Sequence, residues 1–224
     1  MGISLSFQKF IDGWLFSAST STYKIGTFTI INNGVLLEGT RSFDTLVGTT
    51  KSDIIWGNDG DDVVRAGGGR DFLAGGKGND RLYGDDGDDR LEGWADNDQL
   101  FGGNGIDALF GGEGSDKLFG GAGNDYLCGG SSKDELYGGA GSDIFVFRPQ
   151  LSSPKSESVY MDFDTSQDRV RIEDYLLPNG FSKSMIKVDA DGDLIIDTYG
   201  GHRLSFENLD RSDINALYYR IDLI

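Results

Sequence analysis

Residues 102–110, 111–119 and 120–128 of this chain read GGNGIDALF, GGEGSDKLF and GGAGNDYLC. They belong to a run of twelve nine-residue copies that fills residues 39–146 without insertion or deletion. The shared pattern is G-G-x-G-x-D-x-U-x, where U is a large apolar residue. We number the copies one to twelve and the positions within each copy one to nine. A strict short period indicates a repeat architecture in which each unit stacks on its neighbours.

Two positions of the repeat are constant in character, and a third is nearly so. Position six is aspartate in all copies: Asp44, Asp53, Asp62, Asp71, Asp80, Asp89, Asp98, Asp107, Asp116, Asp125, Asp134 and Asp143. Position eight is apolar in all copies: Leu46, Ile55, Val64, Leu73, Leu82, Leu91, Leu100, Leu109, Leu118, Leu127, Leu136 and Phe145. Position one is glycine except at Ala66. A flexible glycine-rich linker requires no such constancy, so the run is predicted to be folded.

The local structure of one copy follows from its residue types. Glycine at positions one, two and four lets the backbone adopt positive φ and turn sharply. The last three positions are long enough for a short strand whose middle side chain points inward. We therefore predict six turn residues and three strand residues per copy, with odd copies stacked in one sheet and even copies in the other. The predicted fold class is all-β, a right-handed parallel β-roll (a β-helix solenoid) of about six coils.

The predicted roll requires a cation. Burial of one apolar side chain per copy is too little to offset the conformational entropy lost along the backbone. The turns also stack carboxylates at the spacing of adjacent strands, and these repel one another unless a cation lies between them. Calcium takes about six to eight oxygen ligands, and a stack of turns offers carboxylates and main-chain carbonyls in that number. The sequence therefore predicts several bound Ca²⁺ ions.

The repeat resembles the RTX (repeats-in-toxin) family, whose nonapeptides form a calcium-binding parallel β-roll. The resemblance implies that each ion lies between one turn and the turn two copies later. The earlier turn supplies its aspartate and the carbonyls of positions two and four. The later turn supplies its aspartate and the carbonyls of positions one and three. Glycine at positions two and four should matter in the earlier turn, because most other residues resist positive φ.

Twelve copies allow ten turn pairs, and the missing glycines rank them. Copies one, two and seven lack glycine at positions two and four, so the pairs in which they are the earlier turn are expected to be weak. Copy eleven lacks glycine only at position four, which is Ser132. This substitution should weaken no site appreciably, because copy eleven enters a turn pair only as the later turn. About seven well-formed sites remain, four on the even edge from Asp71 to Asp143 and three on the odd edge with a gap beside Trp94.

The ligands predicted in this way are aspartate carboxylates and main-chain carbonyls of copies three to twelve. They are Asn58, Gly60, Asp62, Gly67, Gly69, Asp71, Gly75, Gly76, Lys77, Gly78, Asp80, Gly84, Asp85, Asp86, Gly87, Asp89, Gly93, Ala95, Asp98, Gly102, Gly103, Asn104, Gly105, Asp107, Gly112, Gly114, Asp116, Gly120, Gly121, Ala122, Gly123, Asp125, Gly129, Ser131, Asp134, Gly138, Ala140 and Asp143.

Composition limits the possible partners. The formal net charge of -17 argues against nucleic acid and anionic membranes, which require basic patches. The single cysteine, Cys128, allows no intrachain disulfide and is interpreted as a plain strand residue. No apolar run has transmembrane length. The N-terminus shows no basic cluster followed by an apolar segment, so no signal peptide is expected.

The segments on either side of the repeats are predicted to be β-rich caps. Residues 1–38 alternate apolar and polar residues, with a hairpin turn expected at Asn33–Gly34 and with Trp14 and Phe16 in the core of the cap. Repeat arrays need such caps because their open ends expose core and backbone. Residues 147–224 resemble the segment that follows RTX repeats in exported proteins.

Three motifs stand out in that C-terminal segment. VYMDFDTSQDRVRI, residues 159–172, resembles the aspartate-rich strand pair of the family, and a metal site at its aspartates is left open. KVDADGDLIID, residues 187–197, lacks the glycine spacing and closing glutamate of an EF-hand, so a hairpin is preferred. The ending Asp222-Leu223-Ile224 resembles the uncleaved C-terminal signal of type I secretion substrates, which implies a secreted, extracellular bacterial protein exported by a type I secretion apparatus.

No catalytic residues are predicted. The single histidine, His202, excludes an H-E-x-x-H zinc protease and is interpreted as a surface residue, and there is no G-x-S-x-G nucleophile motif. Two non-enzymatic functions remain. The first is a secreted calcium-binding protein that folds on binding Ca²⁺ outside the cell and acts as a structural, adhesion or matrix component. The alternative is a non-catalytic polysaccharide-binding or stabilising module of a secreted carbohydrate-modifying enzyme such as an alginate epimerase.

One outward-facing row bears on the choice between these functions. Position nine of copies five, seven, nine and eleven carries an aromatic ladder, Tyr83, Phe101, Phe119 and Tyr137. Such a strip is able to bind sugar rings, in agreement with an extracellular polysaccharide or a cell-surface component as partner. The preferred interpretation is that the rings stack on one another and stabilise adjacent strands.

Overall fold

The computed structural model describes residues 27–31, 34–148, 156–172 and 180–223. In chain order its strands are β1 (Thr27–Ile31), β2 (Gly34–Glu38), β3 (Thr45–Val47), β4 (Ile54–Asp59), β5 (Val63–Gly68), β6 (Phe72–Lys77), β7 (Arg81–Asp86), β8 (Arg90–Ala95), β9 (Gln99–Asn104), β10 (Ala108–Glu113), β11 (Lys117–Ala122), β12 (Tyr126–Ser131), β13 (Lys133–Ala140), β14 (Ile144–Phe147), β15 (Glu157–Tyr160), β16 (Arg169–Ile172), β17 (Ile186–Val188), β18 (Leu194–Asp197), β19 (Arg203–Phe206) and β20 (Ile221–Leu223). Within these ranges the α-helical residues form one short helix, α1 (Ile214–Tyr218), and no helix has the length and apolar character needed to cross a bilayer.

The strands form two ten-stranded sheets, and the repeat copies alternate between them as predicted. One sheet has the order β1-β2-β4-β6-β8-β10-β12-β14-β16-β20, and the other β17-β18-β19-β15-β13-β11-β9-β7-β5-β3. Strands from the repeats pair in parallel with a register of eighteen residues, so that Leu82 lies opposite Leu100 and Tyr83 opposite Phe101. The fold is an all-β parallel solenoid of about six coils, which confirms the predicted fold class.

The strands are longer than the sequence analysis predicted. Those of copies two to ten each contain six residues, positions seven to nine followed by positions one to three of the next copy, as in β9. The expectation of three was wrong because glycine at positions one and two turns the chain without leaving the ladder, as when Asp85 pairs with Gly103. The sharp turn is therefore confined to positions four to six, which brings each aspartate against the turns of the same edge.

Position eight forms the core of the roll. From Ile55 to Phe145 its side chains are fully buried, and Leu46 retains 2% of its accessible surface. Because each of these side chains lies opposite its counterpart one coil away, they form a continuous apolar row along each sheet. The same core cluster continues past the repeats through Phe147, Tyr160 and Phe206, so the C-terminal segment extends the roll.

Both ends of the roll carry antiparallel strands. At the N-terminal end β1 pairs antiparallel with β2, and Gly34, which was predicted to lie in a turn, begins β2 opposite Ile31. The other predicted turn residue, Asn33, lies outside the described residues. At the C-terminal end β17 and β18 pair antiparallel, which confirms the hairpin prediction for residues 187–197. The side chain of Asp189 accepts the main-chain N–H groups of Asp191, Gly192 and Asp193 and closes that turn. The predicted core residues Trp14 and Phe16 lie outside the described residues.

Candidate metal centre

All twelve position-six aspartates are buried. Asp134 lies within β13, and each of the others directly precedes the strand of its copy. Their exposure ranges from 0% at Asp134 to 6% at Asp44. Buried carboxylates normally have partners, because removing a charge from water is costly unless hydrogen bonds or a counter-charge compensate for it. The partners of their two carboxylate oxygens therefore decide what these side chains do.

One oxygen of each aspartate from copy three onward has a main-chain partner. Its Oδ1 accepts the N–H of the aspartate eighteen residues earlier, at 2.7–3.1 Å. These bonds link the side chains into two columns. The odd column contains Asp44, Asp62, Asp80, Asp98, Asp116 and Asp134, and the even column contains Asp53, Asp71, Asp89, Asp107, Asp125 and Asp143. Each column runs the length of one edge of the roll.

The other oxygen has no partner among the described residues in ten of the twelve copies. These Oδ2 atoms are buried and belong to Asp62, Asp71, Asp80, Asp89, Asp98, Asp107, Asp116, Asp125, Asp134 and Asp143. Ten buried carboxylate oxygens in register, to which no described basic side chain donates, call for a cation. Calcium fits this donor set, since it prefers hard oxygen ligands and binds carboxylates together with carbonyls.

The pKa values of these carboxyl groups also indicate a cation site. Burial is the largest effect on these ten carboxyl groups and raises their pKa from 3.8 to about 6 at Asp62 and to about 8 at Asp98 and Asp134. Neighbouring aspartates of the same column raise the pKa of Asp98 and Asp134 further, because like charges repel. The attraction of a divalent cation between consecutive aspartates would offset both the cost of burial and the repulsion.

The main-chain carbonyls of positions two and four point along the columns. In every copy from three to twelve both positions have positive φ, between 70° and 143°. A methyl group built on Gly76 would lie 1.9 Å from the carbonyl oxygen of Asn58, and one on Gly105 would lie 1.9 Å from that of Gly87. These oxygens therefore project from the earlier turn toward the later one, where the resemblance places them.

The carbonyls of position three are already hydrogen-bonded in several later turns. Those of Lys77, Asp86, Asn104, Ala122 and Ala140 accept the position-four N–H of the turn two copies earlier, at 2.7–2.9 Å. A carbonyl oxygen has a second lone pair, so this bond fixes the oxygen near the column and leaves it able to bind a metal. No three His, Cys, Asp or Glu side chains of the described chain meet in one cluster, in agreement with sites built largely from main-chain oxygens.

Copy seven differs from the sequence expectation. Its positions two and four are Trp94 and Asp96, which were expected to resist the turn, yet they adopt φ of 84° and 78°. A methyl group on Gly114 would lie 1.8 Å from the carbonyl oxygen of Asp96, so that oxygen points as in the glycine copies. Stacked turns on both sides impose this backbone, at a cost in strain. The expectation that Trp94 and Asp96 resist the left-handed turn was therefore wrong.

The aspartates of residues 159–172 have protein donors instead of free oxygens. Both oxygens of Asp162 accept main-chain N–H groups, from Gly138 at 2.8 Å and Gly139 at 2.9 Å. The two oxygens of Asp164 accept the N–H of Ser166 and the side chain of Gln167. These side chains hold the end of the roll together, and the metal site left open there gains no support from the geometry.

His202 is buried, contrary to the expectation of a surface position. It retains 3% of its accessible surface, and its Nδ1 accepts the main-chain N–H of Ser156 at 3.0 Å. The burial lowers its pKa. The hydroxyl of Ser156 in turn accepts the N–H of Ser132, so His202 ties the C-terminal strands to copy eleven. The partner lies 46 residues away, and no local pattern reveals such a contact.

The aromatic ladder is a stack of parallel rings. Tyr83, Phe101, Phe119 and Tyr137 have centroids 4.7–4.9 Å apart and planes within 12° of each other. The guanidinium of Arg65 lies 4.4 Å from the centroid of Tyr83 and covers the end of the stack. The ring faces therefore contact one another, which agrees with the preferred interpretation of strand stabilisation.

Comparison with known proteins agrees with the geometry of the columns. The family model for the RTX calcium-binding nonapeptide repeat matches residues 38–73, 66–100, 74–109, 101–135 and 129–147. No curated protein sequence matches the chain.

Two solved structures are similar to parts of the chain. One is the AlgE6R3 subunit from the Azotobacter vinelandii mannuronan C5-epimerase, at 32% identity and a TM-score of 0.45, covering 58% of this chain and 78% of that one. The other is the extracellular lipase LipA from Serratia marcescens, at 19% identity and a TM-score of 0.42, covering 83% of this chain and 39% of that one.

Proposed function

Because residues 38–147 belong to the family of RTX calcium-binding nonapeptide repeats, we propose that this chain is a secreted protein that folds on binding Ca²⁺ outside the cell. Its role is that of a structural, adhesion or matrix component. The observation that carries the proposal is the set of ten buried carboxylate oxygens without a donor. Without calcium, as in the cytosol, these oxygens destabilise the folded chain. Extracellular modules of this kind bind calcium with dissociation constants of about 0.1–1 mM, so extracellular calcium stabilises the folded chain.

The chain contributes ligands and rigidity to this function. Consecutive aspartates of a column offer Oδ2, and the left-handed positions two and four offer their carbonyls to the same space. Bound calcium supplies the positive charge that neutralises the columns. The Oδ1–amide bonds hold each carboxylate in place, so that little side-chain ordering is left for binding. Repeats of this family are generally non-catalytic, and we assign the chain no enzymatic activity.

Export is proposed to use the C-terminal segment. In the folded chain β20 pairs in parallel with β16, and Asp222 forms an ion pair with Arg169 at 3.3 Å. A signal in this segment is therefore incorporated into a sheet once the roll has formed. An export apparatus reaches it only in the unfolded chain, which links export to low cytosolic calcium and folding to the outside.

An export assay tests this proposal. The full chain and a truncation that lacks residues 175–224 are expressed in bacteria with a type I apparatus, and the medium contains millimolar calcium. We expect the full chain to reach the medium and to resist trypsin there. In a lysate that contains chelator, trypsin should digest the same chain. The truncated chain should stay inside the cells. Export of the truncated chain at the level of the full chain would contradict the assignment of the signal.

Polysaccharide binding is the second candidate function, and Trp94 is the observation that favours it. The indole is 54% exposed, and its neighbours in the ladder are Gly76 and Gly112, which have no side chains. Its Nε1 donates to Glu92 at 3.0 Å. A bulky residue in a left-handed conformation is strained, and such strain often marks a functional site.

A glycan array tests the second candidate. We expect the wild-type chain in millimolar calcium to bind a polysaccharide on the array through Trp94. The W94A variant should lose most of that binding signal. Y199A is the matched control, because Tyr199 is an exposed aromatic residue, at 67%, in the C-terminal segment. Equal binding by the wild type and W94A, or no binding by the wild type, would remove this candidate.

A further inference from the structure

The first aspartate of each column differs from the ten described above. In copy one, Oδ2 of Asp44 accepts the main-chain N–H of Thr40 at 2.6 Å and the Thr40 hydroxyl at 2.9 Å. In copy two, Oδ2 of Asp53 accepts the N–H of Thr49 at 2.5 Å and the Thr49 hydroxyl at 3.1 Å. Two protein donors thus contact the oxygen that is free in copies three to twelve, and they place partial positive charge where a cation would bind.

The backbone of these two turns also differs. Positions two and four of copies one and two are not among the described residues with positive φ. A methyl group on Gly60 would first meet the carbonyl carbon of Ser42, at 2.6 Å, and one on Gly69 that of Lys51, at 2.5 Å. In later copies the corresponding first contact is the carbonyl oxygen, as for Asp96 and Gly114. The position-four carbonyl is therefore turned away from the column in copies one and two.

The C-terminal ends of the columns are closed by other groups. Beyond Asp143 the even column continues to Asp168, whose Oδ1 accepts the N–H of Asp143 at 2.9 Å and whose Oδ2 accepts that of Asp164 at 2.8 Å. In the odd column the residue opposite Asp134 is Ser158, which has no carboxylate. Among the described residues, neither column therefore offers a further pair of free carboxylate oxygens at this end.

We propose that the roll holds eight calcium ions, four in each column between copies three and twelve, and that its first coil is an ion-free cap closed by Thr40 and Thr49. The inference rests on the proposed calcium-binding function. It includes a site between Asp98 and Asp116, because copy seven keeps both the free Oδ2 and the carbonyl orientation. It excludes the pairs that begin at Asp44 and Asp53. In the first coil, the threonine at position two donates hydrogen bonds to the aspartate oxygen that binds calcium in the other coils.

The experiment counts calcium ions per chain at saturation by equilibrium dialysis with radioactive calcium. We expect eight for the wild type and nine for T49G/K51G, since that double substitution removes the threonine donors and restores glycine at positions two and four of copy two. T50G is the matched control, because Thr50 is an exposed residue of the same turn, and it should leave the count at eight.

A second pair of variants covers the possibility that T49G/K51G folds poorly. D44N should leave eight ions, because Asp44 borders no site, whereas D62N, eighteen residues further along the same column, should leave seven. A wild-type count of ten or of seven, or a loss of an ion in D44N, overturns this inference and leaves the proposed function standing. A wild-type chain that binds no calcium overturns both.

Discussion

In excess chelator at pH 8 the chain is expected to lose most of its strand signal in circular dichroism and to regain it in millimolar calcium. The reason is the stack of buried carboxylates, which is ionised and unpaired without the metal. Eight ions at tenfold their dissociation constants would stabilise the fold by about 11 kcal/mol, at about 1.4 kcal/mol per ion. That is comparable to the whole stability of a typical domain, about 5–15 kcal/mol.

Acid provides an internal control for the same experiment. Burial raises the pKa of the ten column carboxyl groups from 3.8 to about 6–8 in the folded chain. A carboxyl group with a raised pKa in the folded state stabilises that state at low pH, and this stability is lost as the pH rises through the folded pKa. In chelator the strand signal should therefore be larger at pH 5 than at pH 8. Equal strand content with calcium and with chelator at pH 8 would contradict the calcium requirement.

D107N is expected to weaken calcium binding more than the removal of a charge outside the columns. Asp107 lies in the middle of the even column, its Oδ2 has no partner among the described residues, and hydrogen bonds join it to both Asp89 and Asp125. Asparagine keeps the Oδ1 acceptor for the N–H of Asp89 but replaces a charged ligand of two ions with an amide. We expect affinity at those two sites to fall by about tenfold or more and the calcium midpoint of folding to rise.

D88N is the matched control for D107N. Asp88 is an exposed residue of the preceding turn on the same edge, and its Oδ1 accepts the N–H of Ile106 at 2.9 Å. The side-chain oxygen of an asparagine accepts the same bond. The substitution removes the same charge outside the column. Calcium titrations followed by circular dichroism should give D88N a midpoint close to that of the wild type. If the midpoints of D88N and D107N shift by the same amount, net charge and not the column governs binding.

The sequence pattern predicted the features that depend on periodicity. The eighteen-residue register, the buried position eight and the two edges of aspartate follow from spacing alone. The pairing of Leu82 with Leu100 confirms the register, the burial of position eight confirms the core, and the bonds between aspartates eighteen residues apart confirm the two edges. The conformation of Trp94 did not follow, because its residue type opposes positive φ and the neighbouring turns on the same edge override that preference. Strand length was underestimated for a related reason, since glycine is compatible with both a turn and a ladder.

Long-range contacts account for the other differences. The burial of His202 depends on Ser156, which lies in another part of the C-terminal segment. The bonds from Thr40 and Thr49 to their own aspartates are local, and the sequence does contain their signal, a threonine four residues before the aspartate. From the absence of glycine, the sequence predicted only that those turns bind calcium weakly. The structure adds that the N–H and hydroxyl groups of the threonines already donate to the aspartate oxygen in those turns.

The most direct test of the central claim is a map of calcium positions in crystals grown in millimolar calcium, by anomalous diffraction. The unpaired Oδ2 atoms of copies three to twelve are the proposed calcium ligands. The expected result is a row of four peaks in each column, each between consecutive aspartates, with none between Asp44 and Asp62 or between Asp53 and Asp71. A map without peaks beside those Oδ2 atoms, in crystals of the folded chain, would contradict it.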